Sequence, residues 1–161
     1  MSIKQQLVRI LLRGMKEVYM DRIISDKLYL SLLYRRVLDK KMHWDNPCTF
    51  NEKLQWLKIY NRRNEYTQMV DKIAVKKIVA EKLGEKYIIP TLGVWDDFDD
   101  IDFSILPDRF VLKCNHDSGS ICICKNKNTF DIAEARKKMR KGLKQNLYWA
   151  GREWPYKDVK P

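Results

Sequence analysis

Two short apolar runs separated by six small polar residues constrain the fold of this chain more than any other feature. Phe110–Cys114 and Ile121–Cys124 have the length and composition of buried strands. Residues 115–120, which lie between them, are of the kinds that favour turns. The segment therefore predicts a β-hairpin, and we refer to residues 115–120 as the hairpin loop.

Lys113 stands at the end of the first predicted strand. Because side chains alternate between the faces of a strand, Lys113 shares a face with Val111 and lies next to the loop. A cation there can meet anionic oxygens while the backbone N–H groups of Ser118, Gly119 and Ser120 converge on the same oxygens. The hairpin is therefore a candidate site for nucleotide phosphates, although a pattern of this kind is more often a hairpin without a ligand.

The hairpin loop matches neither of the two common phosphate-binding motifs. The six glycines stand at positions 14, 84, 93, 119, 142 and 151, a spacing that excludes both the P-loop and the Gly-x-Gly-x-x-Gly motif. Asp117 opposes phosphate binding, because a carboxylate repels anions unless it bonds to the loop's own N–H groups or to a metal ion. His116 is expected to donate a hydrogen bond to a phosphate or to a neighbouring carbonyl.

A zinc site is an alternative use of the hairpin, because Cys114, His116, Cys122 and Cys124 lie close together in the sequence. Their spacing differs from that of structural zinc sites, and alternate cysteines in a strand more often pack as small apolar side chains. A cysteine nucleophile with His116 as its base lacks a recognisable orienting group. Reduced core cysteines, as in a cytoplasmic protein, are therefore expected.

The charge distribution favours anionic partners. The formal net charge is +11, with 10 basic and 5 acidic residues in positions 1–45 and 11 basic and 4 acidic residues in positions 125–161. A nucleotide, an acidic polysaccharide, a lipid surface and nucleic acid all fit this balance. The basic run Arg136–Lys141 suits nucleic acid, but it also suits the solvated face of a helix, so a nucleic-acid partner is not favoured.

Apolar spacing predicts helices in the first half of the chain. The predicted helical features, in chain order, are a helix within Met1–Met20 that includes Val18, a helix through Leu28–Leu38, a capping box formed by Thr49 and Glu52, a helix from Val70 to Leu83 ended by Gly84, and a helix capped by Asp131 and Glu134. The first helix is more often a packed helix than a membrane anchor, although its arginines suit an anionic lipid surface.

These elements predict an α+β fold for a chain of 161 residues. N-terminal helices precede a small, mostly antiparallel sheet built from Tyr87–Ile89, Phe110–Cys114 and Ile121–Cys124, and a helix covers the sheet. We expect residues 1–45 to form a helical extension and residues 46–161 to form the main domain. The tail from Tyr148 to Pro161 shows no partner element.

Four segments, taken together and in order, resemble the teichuronopeptide-biosynthesis type (TupA-like) of ATP-grasp family. These segments are Asn46–Lys58, Val70–Lys72, Phe110–Ser120 and Gly151–Tyr156. The resemblance extends from about Asn46 to Pro161, and it implies that the sheet belongs to the small lobe of a two-lobe nucleotide site. Family members occur in bacterial surface-polysaccharide settings and are often labelled glycosyltransferases.

The resemblance also implies roles for individual residues. Lys113 would contact an ATP phosphate or the adenine-side pocket, and Asp71 and Lys72 would open the helix that precedes the nucleotide-binding lobe. The hairpin loop would cover the phosphates. The candidate nucleotide-binding residues are Lys113, Asn115, His116, Asp117, Ser118, Gly119 and Ser120. Mg²⁺ is implied as well, with its ligands expected in a second lobe beyond Pro161, so the chain is expected to be an N-terminal portion that does not catalyse alone.

Three functions remain open from the sequence. The first is a truncated carboxylate–amine ligase of capsule or cell-envelope polysaccharide synthesis, with an anionic polysaccharide or an amino acid as acceptor. The second is a glycosyltransferase of the same pathway. The third is a non-catalytic basic module that binds an anionic polymer. The expected location is the cytoplasm, with peripheral association at the inner face of the membrane left open.

Overall fold

The computed structural model describes residues 3–17 and 20–161, which fall into two compact units. Within these residues, unit 1 runs to Arg63 and takes in Tyr148–Trp154, whereas unit 2 contains Asn64–Leu147 and Pro155–Pro161. The chain therefore returns to unit 1 after building most of unit 2. The domain boundary predicted after residue 45 stays a prediction, and Val18 lies outside the described residues.

The fold is α+β, as predicted. The helices are α1 (Ile3–Glu17), α2 (Asp26–Leu38), α3 (Phe50–Tyr60), α4 (Asn64–Val70), α5 (Ala74–Leu83), α6 (Ile132–Leu143) and α7 (Tyr148–Gly151). Short 3₁₀ turns connect several of them. Among the described residues the sheet consists of two antiparallel strands, β1 (Phe110–Lys113) and β2 (Ile121–Cys124). The predicted hairpin is confirmed.

The hairpin buries one of its faces in the core of unit 2. Phe110 pairs with Cys124 and Leu112 pairs with Cys122 on the buried face, whereas Val111 lies on the exposed face. The core residues of unit 2, including those of the covering helix α6, are Phe98, Leu106, Phe110, Leu112, Cys114, Cys124, Ala135 and Met139. The Asp131 side chain accepts a hydrogen bond from the N–H of Glu134 at 2.8 Å, so the predicted cap of α6 is confirmed.

The strand predicted at Tyr87–Ile89 is wrong. Glu85–Tyr87 forms a 3₁₀ turn directly after Gly84, and the side chain of Ile89 is 80 % exposed. Pro90 follows immediately and has no N–H group to donate to a neighbouring strand. A short apolar run at this place therefore does not join the sheet.

The helix predicted from Val70 to Leu83 starts later than predicted, because Val70 is the last residue of a separate helix, α4, and α5 begins at Ala74. The Asp71 carboxylate interrupts it, because Oδ1 accepts hydrogen bonds from the N–H groups of Ile73 and Ala74, both at 2.8 Å. Burial acts to raise the pKa of Asp71, but these hydrogen bonds and one with Asn115 outweigh it and lower the pKa below its usual value. Asp71 therefore bonds to the backbone N–H groups at the N-terminal end of α5, whose N-cap residue is Ile73.

The capping box predicted at the start of α3 is confirmed. The Thr49 hydroxyl accepts a hydrogen bond from the N–H of Glu52 at 3.3 Å, and Oε2 of Glu52 accepts one from the N–H of Thr49 at 2.8 Å. Nδ1 of His43 lies 2.8 Å from Oε1 of the same carboxylate. These contacts, led by the Thr49 N–H and then by His43, lower the pKa of Glu52 to about 2.

The Glu52 carboxylate is expected to stabilise unit 1 in a pH-dependent way. Its pKa is lower in the folded protein than in the unfolded chain, so the stabilisation is present at neutral pH and is lost as the pH falls from about 4.5 toward 2. We expect Glu52→Gln to lower the melting temperature at neutral pH and to differ less from wild type at pH ~3. Thermal unfolding followed by circular dichroism measures this, with the half-exposed Glu153→Gln as the control. An unchanged difference between the two pH values would contradict the prediction.

The first part of the tail, Tyr148–Trp154, packs into unit 1 through Arg152, although the sequence shows no partner for it. The Arg152 side chain is fully buried, and its guanidinium carbon lies 4.2 Å from the ring centroid of Tyr29 and 4.7 Å from that of Trp149. Nη2 donates to the backbone carbonyl of Asp21, and Nε lies 3.0 Å from Oδ1 of Asp26. Aromatic faces and a carboxylate therefore surround a buried cation.

Asp26 binds two further side chains of unit 1, Tyr148 and Arg62. Its carboxylate accepts hydrogen bonds from the Tyr148 hydroxyl, at 2.6 Å and 2.7 Å, and from Nη2 of Arg62 at 2.6 Å. Burial, followed by this hydrogen bond to Asp26, raises the pKa of Tyr148 to about 12. The hydroxyl therefore stays protonated and donates to Asp26 throughout the physiological pH range.

Candidate functional site

Lys113 ends β1 on the exposed face of the hairpin, as predicted. It pairs with Ile121 across the sheet and shares its face with Val111. Among the described residues, its ammonium group has no hydrogen bond and no ion pair. A lysine with neither a partner nor burial presents its full charge to solvent at the mouth of the hairpin loop.

The tip of the hairpin loop is exposed. Ser118 and Gly119 are both open to solvent, and Gly119 has a φ of 135°, which a residue with a side chain rarely adopts. Within residues 3–17 and 20–161, the backbone N–H groups of Ser118 and Gly119 have no acceptor. The N–H of Cys114 donates to the carbonyl of Ser120 at 3.1 Å and closes the loop at its base.

The Asn115 side chain ties the loop to the start of α5. Its Oδ1 accepts hydrogen bonds from the N–H groups of Lys72, at 2.8 Å, and Ile73, at 3.3 Å. Its Nδ2 donates to the carbonyl of Lys160 at 3.3 Å. Both the oxygen and the nitrogen of the Asn115 amide therefore form hydrogen bonds with backbone groups, and these bonds hold the loop in position.

Lys72 holds the same loop through its ammonium group. Nζ donates to the backbone carbonyls of Asn115, at 2.7 Å, and Asp117, at 2.5 Å. Burial lowers the pKa of Lys72, an effect that the nearby Asp117 carboxylate opposes and the nearby Lys113 reinforces. The positive charge of Lys72 thus lies next to the loop, where it adds to that of Lys113.

Asp117 is buried, and its carboxylate faces its own loop. Oδ2 accepts a hydrogen bond from the N–H of Ser120 at 3.2 Å. We argued from the sequence that a carboxylate is tolerated in a phosphate-binding loop only if it bonds to the loop's own N–H groups or to a metal ion. The condition is met, and the N–H of Ser120 is committed to Asp117 and not to a ligand.

His116 is also buried, with 1 % of its surface exposed. Its Nε2 lies 2.7 Å from the backbone carbonyl of Gln145, so Nε2 carries the proton and donates it. The expected bond to a neighbouring carbonyl is therefore present. Nδ1 is buried and has no hydrogen-bond partner among the described residues.

Helix α6 approaches the loop closely at Gly142. A Cβ at this position would lie 2.2 Å from Oγ of Ser120 and 2.8 Å from Sγ of Cys114. Burial, followed by the charge of Asp117, raises the pKa of the Cys114 thiol. Cys114 and Cys124 are both buried in the core, as expected for cysteines that pack as small apolar side chains.

The acidic segment and the basic helix of unit 2 pair with each other. Arg136 binds Asp99 at 2.9 Å, and Arg140 binds Asp99 at 2.8 Å and lies 3.6 Å from Asp97. Lys160 binds Asp96 at 2.8 Å. Two arginines of the basic run are therefore engaged inside the chain.

The structure divides the predicted site residues into two groups. Asn115, His116 and Asp117 use their side chains to position the loop, whereas Lys113, Ser118 and Gly119 are open to solvent. Ser120 packs against Gly142. Contact of any of these residues with ATP stays a prediction.

Two residues position the hairpin loop in a way that was not predicted from the sequence. The first is Lys72, whose ammonium group donates hydrogen bonds to carbonyls of the loop. The second is Gln145, whose backbone carbonyl accepts a hydrogen bond from His116. Only one signal in the sequence pointed to such contacts. A glycine inside an otherwise regular helix, here Gly142, commonly marks a close approach of another segment.

Comparison with known proteins gives one match. The model of a protein family described as TupA-like ATPgrasp matches residues 52–161. No curated protein and no solved structure matches the chain. The matched range is more than half of the chain, and it contains the hairpin, its loop, and the residues that position the loop.

Proposed function

The chain belongs to the TupA-like ATP-grasp family, and from this premise we propose that it binds ATP phosphates through Lys113 and the hairpin loop as part of a carboxylate–amine ligase. We further propose that the ligase acts in the synthesis of bacterial capsule or other cell-envelope polysaccharide, which is the setting that the family resemblance implies. An anionic polysaccharide or an amino acid is the proposed acceptor.

A single observation carries the proposal: β1 ends in an unpaired cation, and the loop that follows it has unpaired N–H donors at its tip. Lys113 has no partner among the described residues, nor do the N–H groups of Ser118 and Gly119. Donors and cations that are set in place before a ligand arrives stabilise phosphate charge without further reorganisation. In such a ligase, ATP converts a carboxylate into an acyl phosphate, and an amine then displaces the phosphate.

The remaining loop residues support this role indirectly. Lys72 and Asn115 connect the loop to the start of α5, His116 connects it to Gln145, and Asp117 closes its inner side. These contacts direct the polar side chains away from solvent and leave the tip free. In our proposal they orient the donors, and Lys113 neutralises charge on the phosphoryl group.

Magnesium does not fit the described part of the chain. No group of three His, Cys, Asp or Glu side chains gathers there to hold a metal ion. We therefore assign no step to magnesium. The expectation that its ligands lie in a second lobe stays a prediction.

The polymer-binding module has less support than the ligase. It needs free basic groups on α6 and free aromatic side chains in the tail. Arg136 and Arg140 pair with acidic residues and the half-buried Trp149 stacks against Arg152, so among the described residues the free basic groups of α6 are its exposed lysines, Lys137, Lys138 and Lys141. No observation of this structure specifically favours a glycosyltransferase.

Replacing Lys113 with alanine is expected to weaken the binding of Mg-ATP about tenfold, because one charge-assisted contact to phosphate is lost. The measurement is an NMR titration of the isotopically labelled chain at millimolar nucleotide. In the wild type, the amide resonances of Ser118 and Gly119 should shift as nucleotide is added.

Lys125→Ala is the matched control. Lys125 is an exposed lysine directly after β2, at the end of the hairpin opposite the loop, and its removal changes the net charge by the same amount. The two ends of the hairpin are roughly 14 Å apart. Equal weakening by both substitutions would indicate a general charge effect, and absence of shifts at Ser118 and Gly119 would reject the loop as the site.

A further inference from the structure

Helix α1 exposes a continuous apolar stripe. Ile3, Leu7, Ile10 and Leu11 follow the spacing of one helical face, and their exposed fractions are 76 %, 62 %, 68 % and 50 %. Isolated exposed apolar residues are ordinary, but four on one face of a single helix form a patch. The stripe has no cover within the described residues.

The stripe is separate from the face that anchors α1 in unit 1. Leu12 and Met15 are buried, and α1 packs against α2. At 100° per residue, these two positions lie on a different side of the helix from Leu7 and Ile10. One side of α1 therefore packs in unit 1, and a different side exposes the apolar stripe.

The charged positions of α1 are basic, apart from Glu17 at its C-terminal end. Lys4, Arg9, Arg13 and Lys16 are basic, and no acidic residue occurs between Ile3 and Lys16. An apolar stripe combined with basic residues is the pattern of helices that lie in the interface of an anionic membrane. In the described part of the chain no helix is long and apolar enough to cross a bilayer, so such a helix would lie along the surface.

We propose that α1 docks the protein on an anionic lipid surface, with Ile3, Leu7, Ile10 and Leu11 entering the boundary between headgroups and acyl chains. Charge complementarity selects this occupant. A second copy of the chain would bring two predominantly basic helices together, and like charges at close range oppose that contact. Phospholipid headgroups supply the negative charge that the helix lacks.

Vesicle flotation with the full chain tests the proposal. Binding is expected to vesicles of phosphatidylcholine with about 30 % phosphatidylglycerol and not to phosphatidylcholine alone, and to weaken as salt rises, because the attraction is electrostatic. Leu7→Ser combined with Ile10→Ser is expected to weaken binding at least about tenfold, since binding scales with buried apolar area. Circular dichroism verifies that the variant stays folded.

The matched control removes two exposed apolar residues elsewhere. Ile89 and Ile105 are 80 % and 69 % exposed and lie in unit 2, so Ile89→Ser combined with Ile105→Ser should bind vesicles like wild type. A second test, Lys4→Ser with Arg9→Ser, should reduce binding to anionic vesicles.

Three results would overturn the proposal. The first is the absence of wild-type binding to anionic vesicles at low salt, and the second is equal binding by the stripe variant and its control. The third is a concentration-dependent dimer in sedimentation velocity that the stripe variant abolishes, without vesicle binding. That result would assign the stripe to self-association.

Discussion

Replacing Arg152 with alanine is expected to lower the free energy of unfolding by about 3–5 kcal/mol, the range observed when one partner of a buried ion pair is removed. The side chain is fully buried between the rings of Tyr29 and Trp149, and its Nε lies 3.0 Å from Asp26. The substitution removes the cation–π contacts, opens a cavity and takes one cation from the Asp26 carboxylate. Urea denaturation followed by circular dichroism gives the value.

Two further variants show which property of Arg152 stabilises the protein. Arg152→Lys keeps the positive charge but loses the planar group that stacks on the rings, so its stability should lie between wild type and Arg152→Ala. Arg9→Ala removes an exposed arginine of the same unit and should change stability by less than about 0.5 kcal/mol. If Arg152→Ala were as stable as Arg9→Ala, the buried cation would not be a stabilising element of unit 1.

Replacing Gly142 with alanine is expected to destabilise the protein by about 2 kcal/mol, although alanine is the better helix former by about 1 kcal/mol. The new Cβ would lie 2.6 Å from Cβ of Ser120 and 2.8 Å from Sγ of Cys114, which is closer than packed atoms allow. A rotation of the Ser120 hydroxyl does not relieve the contact between the two Cβ atoms. Either α6 or the hairpin loop must move.

Gly14→Ala is expected to change the stability in the opposite direction to Gly142→Ala. A Cβ at Gly14 in α1 meets no atom within 4 Å, so this variant should be stabilised by up to about 1 kcal/mol. Chemical denaturation measures both variants, and NMR should show displaced Ser120 and Cys114 amide resonances only in Gly142→Ala. A Gly142→Ala protein of wild-type stability with an undisturbed loop would contradict the close packing of α6 on the loop.

The features that could be predicted from the sequence arise from contacts between residues that are close together in the sequence. The hairpin follows from two short apolar runs separated by six residues that favour turns, and the Thr49–Glu52 and Asp131–Glu134 caps follow from bonds between residues three positions apart. The failed strand at Tyr87–Ile89 shows the limit of such reasoning. A three-residue apolar run does not reveal whether a partner strand is present.

The contacts that position the candidate site could not be predicted, because their partners are distant in the sequence. Lys72 and Asn115 are 43 positions apart, and no local pattern links an ammonium group at the start of α5 to carbonyls in the hairpin loop. From the sequence alone, all the polar residues of the hairpin loop were therefore candidates for binding nucleotide. Separating those that face solvent from those that hold the loop required the structure.

The distance of Arg152 along the chain affects how the protein is made. Its buried partner Asp21 precedes it by 131 positions. A ribosome adding 5–20 residues per second needs roughly 7–26 s to synthesise that interval. The first helices therefore emerge in the nascent chain while the place of the guanidinium group between Tyr29 and Asp26 is still vacant. Unit 1 therefore completes its packing only after Arg152 has been synthesised, and until then the aromatic rings of Tyr29 and Trp149 lack the cation that lies between them.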